Sequence, residues 1–275
     1  MTSELVLLKA ALVAYLLAAG AFGLFLLVLH PISRALGLSL LLAAFLAHGG
    51  AIAARSITAG HVAVVTDYEA LSFFAWLVVG VYVAVELRYR LAAVGAVVAA
   101  FAFVVTLGAA VFYSGVQELP PNLRSAWLFV HVTLAFLGNA VLALAFCVSL
   151  VYLFHERQLK EKRVGERMRR LPSLETLDQL NYRALSWGFP LLTLGIITGA
   201  VWGKYSWGSF WSWEPREVFS LIVWMLYAGL LQARLVAGWR GRRLATVTII
   251  GFAVVLVSFV FGNVFFPGKH GGSFD

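Results

Sequence analysis

The chain has 275 residues, 61% of them apolar and only 12% charged, and its mean hydropathy is +0.89. Soluble domains carry about 25% charged residues, so a water-soluble globule is excluded, and disorder with it, because disorder requires low hydrophobicity. The single cysteine, Cys147, excludes a disulfide scaffold, a cysteine-rich zinc site and a CxxCH box, and no repeat is visible in the sequence.

A membrane-crossing helix needs about 20 mostly apolar residues. Eight segments meet or approach that length, at 5–29, 35–54, 68–87, 91–116, 127–154, 184–201, 218–233 and 244–266. The first is too long for a signal-peptide core and lacks a basic leader, so it reads as a retained helix. The sixth and seventh are short and flank an aromatic loop into which they can extend. The expectation is one all-α integral membrane domain over residues 1–275, a polytopic bundle of about eight transmembrane helices in a lipid bilayer.

Eight spans place both termini on one side. The Lys/Arg bias of the loops decides which side. The loops after spans one, three, five and seven hold fifteen of the 21 basic residues, and the other side holds six. Both termini and the aromatic loop, residues 202–217, therefore face outward, toward the periplasm in a bacterial plasma membrane. Residues 154–183 form a charged cytoplasmic loop. Its eight basic residues are interleaved with five acids, the pattern of a solvated loop, so the net charge of +8 does not argue for nucleic acid.

The outward loop carries the distinctive chemistry. Trp202, Trp207, Trp211 and Trp213 fall within twelve residues, together with Tyr205 and Phe210. Such a cluster is either an interfacial aromatic belt or a platform for a flat apolar ligand. Glu214-Pro215-Arg216-Glu217 reads as a helix start, with Pro at the first helical position and acids at the positive end of the dipole. Arg216 beside aromatic rings suits a ligand carboxylate. A planar, apolar, carboxylated ligand suggests haem, whose iron takes axial ligands that are most often histidine. His30, His61 and His155 read as solvated surface residues. His131 near the outer start of span five, His270 beyond span eight and His48 inside span two remain, each either an iron ligand or a structural hydrogen-bonder. Asp67 and Glu69 read as capping acids of span three, Glu86 as an ion-pair or snorkelling residue beside Arg88, and Asn139 as a bond to a neighbouring helix. Cys147 reads as a small apolar side chain.

Residues 207–217, WGSFWSWEPRE, resemble the tryptophan-rich WWD motif, usually WGxxWxWDPKE, of the haem-handling CcsA/ResC family of cytochrome c assembly. CcmC and CcmF are more distant relatives. RLPSLETLDQLNYRALSWGFPLLTLGIITGAVW before the motif, GWRGRR after it, the histidine opening span five and the PGxH ending extend the resemblance over roughly residues 35–270. It implies non-covalent haem b at the outer face, held by His131 and His270 as axial ligands, with Trp207, Trp211, Trp213, Glu214 and Arg216 around the porphyrin and His48 a further candidate. It implies delivery of haem to apocytochrome c alongside a CcsB/ResB-type membrane partner, where vinyl groups form thioethers with reduced cysteines. Glu214 and Arg216 replace the family's Asp and Lys, keeping charge sign but not geometry. Gln232 stands where many members have an inner-site histidine. No catalytic set such as Ser/His/Asp or HExxH is present. Two other functions fit the same sequence. One is a related membrane protein controlling haem biosynthesis at glutamyl-tRNA reductase, and the other is a transporter of another amphipathic ligand.

Overall fold

The computed structural model describes residues 3–28, 30–117, 125–162 and 171–264. Eight helices follow one another: α1 Ser3–Val28, α2 Pro31–Ala59, α3 Asp67–Tyr89, α4 Ala92–Val111, α5 Ala126–Lys160, α6 Leu174–Trp207, α7 Pro215–Leu235 and α8 Arg242–Val264. All eight are long and apolar enough to cross a membrane. No strand occurs among the described residues, as expected where backbone polar groups have no water to bond.

The helix ends follow local chemistry. His30 caps α2, its Nδ1 accepting from the Ile32 amide ahead of Pro31. Thr66 and Glu69 form a reciprocal capping box on α3. Helix α7 starts at Pro215 behind Glu214, as the sequence predicts, and Glu217 completes a second box. Two helices run well past their predicted limits. Helix α5 continues to Lys160 through i,i+4 pairs of Glu156 with Lys160 and Arg157 with Glu161. Helix α6 begins at Leu174 behind the Ser173 cap and ends at Trp207, ten residues before and six after the predicted span. The aromatic loop therefore shrinks from 202–217 to 208–214, and both ends of the expected charged loop 154–183 are helical, residues 154–160 in α5 and 174–183 in α6.

Packing has the same order in both halves. Helix α1 lies against α2 and α4, and α3 against α4 and α2; likewise α5 lies against α6 and α8, and α7 against α8 and α6. Helix α3 joins the halves by packing on α5. The α5–α6 seam is set by glycine. A Cβ on Gly138 would stand 2.6 Å from the Leu192 amide nitrogen, and one on Gly195 2.8 Å from the Ala135 Cα. Small residues at this crossing let two backbones touch, the usual means of helix association where lipid is as apolar as the side chains.

Buried polar groups tie the bundle at both ends. At one face Arg55, 2% exposed, donates to Glu69 at 2.8 Å and to the carbonyls of Ser114 and Gly115 at 3.0 Å. At the opposite face Glu86 pairs with Arg34 across helices, not with neighbouring Arg88, and also accepts from Tyr82 and from the Leu91 amide. Asp178 bonds both Arg234 and the Gly241 amide, joining α6 to the α7–α8 turn. His155 is 5% exposed, not solvated as its place before a charged stretch suggests, because α5 continues past it.

Candidate functional site

The starts of α3, α5 and α7 and the end of α6 meet at one face around a cavity of about 600 Å³. That size lies within the range of small-molecule and cofactor sites. Helix α8 closes one side. Asp67, Arg216 and Glu217 supply charge to the lining, while Phe74, Phe136, Leu192, Val223 and Val255 make an apolar interior.

His131 is set into the wall. Its Nδ1 lies 2.8 Å from the Gly195 carbonyl of α6. A carbonyl only accepts, so Nδ1 carries the proton and Nε2 is the basic nitrogen of the neutral ring, the arrangement that orients a metal-binding imidazole. Trp202 stacks on the ring at 6.2 Å and 12°. Gly199 makes the placement possible, since a Cβ there would fall 2.5 Å from the imidazole Cε1.

The aromatic residues do not form one flat platform. Because α6 runs through Trp207, its side chains spread around a helix. Trp202 and Trp207 line the cavity, edge to face at 4.7 Å, while Tyr205 is 78% exposed. Trp211 also lines it, and its indole N–H is buried without a hydrogen-bond partner. Trp213, edge-on to Trp211 at 5.9 Å, is 72% exposed with φ 61. A bulky residue in the left-handed region is strained. Glu217 holds this loop, accepting from the amides of Ser212 and Glu214 and from the Ser212 hydroxyl. Glu214 is the N-cap of α7, and the Arg216 guanidinium interacts with both Glu214 and Asp67.

The other predicted residues lie elsewhere. His48 is fully buried between α1 and α3, its Nδ1 3.1 Å from the Tyr15 hydroxyl and its Nε2 2.8 Å from that of Ser72, and it does not line the cavity. His270 lies outside the described residues. His61 is half-buried, not solvated as expected, and bonded to backbone carbonyls. Gln232 is exposed on α7, away from the cavity.

Two further polar residues, Asp67 and Asn139, line the cavity. Asp67 follows the Thr66 cap and faces Arg216 across the cavity mouth. Asn139 bonds its own helix, donating to the Ala135 carbonyl at 2.9 Å, not a neighbouring one, and its Oδ1 is buried without a partner. The signal for Asn139 was its spacing: His131, Ala135 and Asn139 follow the i, i+4, i+8 stripe of one helix face. For Asp67 no local signal existed, since its neighbour Arg216 comes from a distant helix.

The arrangement is a pocket with a charged mouth, an apolar depth and one oriented imidazole. The family model of the cytochrome C assembly protein matches residues 64–270. The chain belongs to the cytochrome c assembly protein family. The chain is 32% identical to the cytochrome c biogenesis protein CcsA of Gloeobacter violaceus, with 87% of each chain covered. It is 36% identical to CcsA of Synechococcus sp. (strain CC9902), over 77% of this chain and 78% of the relative. Among solved structures it resembles the cytochrome c heme lyase CcmF with a TM-score of 0.67 at 19% identity. The match covers 95% of this chain but spans half the length of that structure, and it shows the shared fold. The chain is thus a multi-pass membrane protein of cytochrome c biogenesis, which favours that reading over the control of haem biosynthesis and over transport of another ligand.

Proposed function

We propose that the chain binds haem b non-covalently in the 600 Å³ chamber and presents it for attachment to apocytochrome c. The observation that carries this reading is His131, an imidazole fixed through its Nδ1–H···O=C bond to Gly195 in the wall of an aromatic chamber. The residues present fit the group. The buried Trp211 N–H lacks an acceptor, Arg216 offers a cation to carboxylates at the mouth, and the apolar depth suits a macrocycle. His270 is the proposed second axial ligand. His48 takes no part, because both its nitrogens are already bonded to hydroxyls.

The chamber faces the periplasm or its equivalent, as the fifteen basic residues gathered toward the opposite face support. Haem is here the cargo, and the chain's own contribution is to hold and orient it. A CcsB/ResB-type membrane partner completes the assembly.

The test is an absorption spectrum of the detergent-purified protein with and without dithionite. A low-spin bis-histidine spectrum is expected, lost when His131 and His270 are both replaced by Ala. A colourless protein that also refuses added hemin would overturn the proposal, and unchanged haem content in the double variant would reject these two ligands.

A further inference from the structure

A second, far smaller void lies in the N-terminal half, about 10 Å³ in volume and lined by Ile52, Arg55, Ala63, Tyr68, Glu69 and Ser72. It lies on the same face as the large chamber, below the α2–α3 loop. Its lining has a counterpart in the large chamber, residue for residue.

The correspondence is a constant shift of 148 positions, as from Gly60 to Gly208. Both glycines are left-handed C-caps, at φ 71 and 81, of α2 and α6. Six residues on, Thr66 and Glu214 are the N-caps of α3 and α7. Glu69 and Glu217 each fold back on the loop before them, accepting from Val65 and Thr66 in one case and from Ser212 and Glu214 in the other. Two turns further, the Trp76 indole donates to the Phe45 carbonyl of α2 and the Trp224 indole to the Thr193 hydroxyl of α6, again equivalent positions. With the same shift, the six residues of the small void become Ala200, Gly203, Trp211, Arg216, Glu217 and Ser220, and all six line the large chamber.

Two exchanges bear on the difference in volume. Where the C-terminal half has Gly203, the N-terminal half has Arg55, whose guanidinium bonds Glu69 and the carbonyls of Ser114 and Gly115 and lies 5.3 Å and 5.7 Å from the ring centroids of Tyr68 and Tyr113. Leu8, packed with Ala51 and Tyr68, fills the space that His131 takes against Gly199 in the other half. An apolar side chain there removes any iron ligand.

We propose that the chain is built from two copies of one four-helix unit, and that the N-terminal copy holds an occluded version of the chamber plugged by the chain's own Arg55. Its resident ligand is a planar cation held by a carboxylate, backbone carbonyls and aromatic faces. The inference is independent of what the large chamber binds.

Thiol accessibility tests it, because the one native cysteine, Cys147, is fully buried. Ser72→Cys and Ser220→Cys place equivalent probes in the two copies, read by the labelling rate with a small methanethiosulfonate reagent on the detergent-solubilised full chain. Ser220→Cys is expected to label and Ser72→Cys to resist. Adding Arg55→Gly should raise labelling at position 72 severalfold. Adding Gly203→Arg should protect position 220 by a similar factor. A Cβ at Gly203 meets only ordinary contacts, 3.4 Å from the Ser209 carbonyl oxygen, so this second arm stands even where Arg55→Gly fails to fold. Unchanged labelling at position 220 in Gly203→Arg, or at position 72 in a folded Arg55→Gly protein, would overturn the proposal.

Discussion

At the level of single residues, one histidine lines the chamber and another is locked in a different hydrogen-bond network. His131 stands against Gly199 with no room for a methyl group between them. Gly199→Ala is therefore expected to displace the imidazole and lower haem content severalfold while the helices remain formed, as absorbance and circular dichroism will report. His48→Ala should act oppositely. It leaves the Tyr15 and Ser72 hydroxyls unpaired beside a void, which costs about 2–4 kcal/mol; thermal unfolding should shift while the haem spectrum holds. The tryptophans separate in the same way. Trp211→Ala removes a chamber wall and should reduce haem occupancy, whereas Trp213→Ala changes an exposed ring and should leave occupancy unaltered. Equal losses in both variants would mean that the aromatic residues act as one surface. These distinctions were only partly legible in the sequence. The chemistry of Trp, His and Arg marked the region, but which rings turn inward depends on α6 continuing through Trp207.

Among the elements, the α5–α6 pair is the frame on which the chamber is mounted. Gly138, Gly188, Gly195 and Gly199 bring the two helices into contact, and the His131 bond to the Gly195 carbonyl depends on that approach. Gly138→Ala forces a methyl group against the Leu192 backbone, and the resulting overpacking is expected to cost about 1–3 kcal/mol. Thermal unfolding in detergent measures this, and haem content should fall with it because the imidazole and its carbonyl move apart. Helix existence was readable from hydropathy throughout, since about 20 apolar residues in lipid have few alternatives to a helix. Helix ends were less so. The extensions of α5 and of the start of α6 mix polar residues with leucines, held by i,i+4 ion pairs and a serine cap that hydropathy does not register.

For the whole molecule, the alternation of eight helices gathers the chamber, the Arg55 cluster and both capping boxes at one face, and the Arg34–Glu86 and Asp178–Arg234 pairs at the other. Sidedness is therefore a single binary property. In intact cells Ser209→Cys should react with a membrane-impermeant thiol reagent from outside, and Gln158→Cys only after permeabilisation. The reverse pattern would invert the topology. The sequence by itself determined the class of molecule, the number of spans, the identity of the aromatic loop and its family motif, because these rest on composition and on residues adjacent in the chain. Only the tertiary structure decided that His48 belongs to a hydrogen-bond network, that Asp67 lines the chamber, and that a second, closed copy of it lies in the N-terminal half. Those properties depend on which helix faces meet, and the two halves keep their shared packing with few shared residues, so no local pattern in the chain records them.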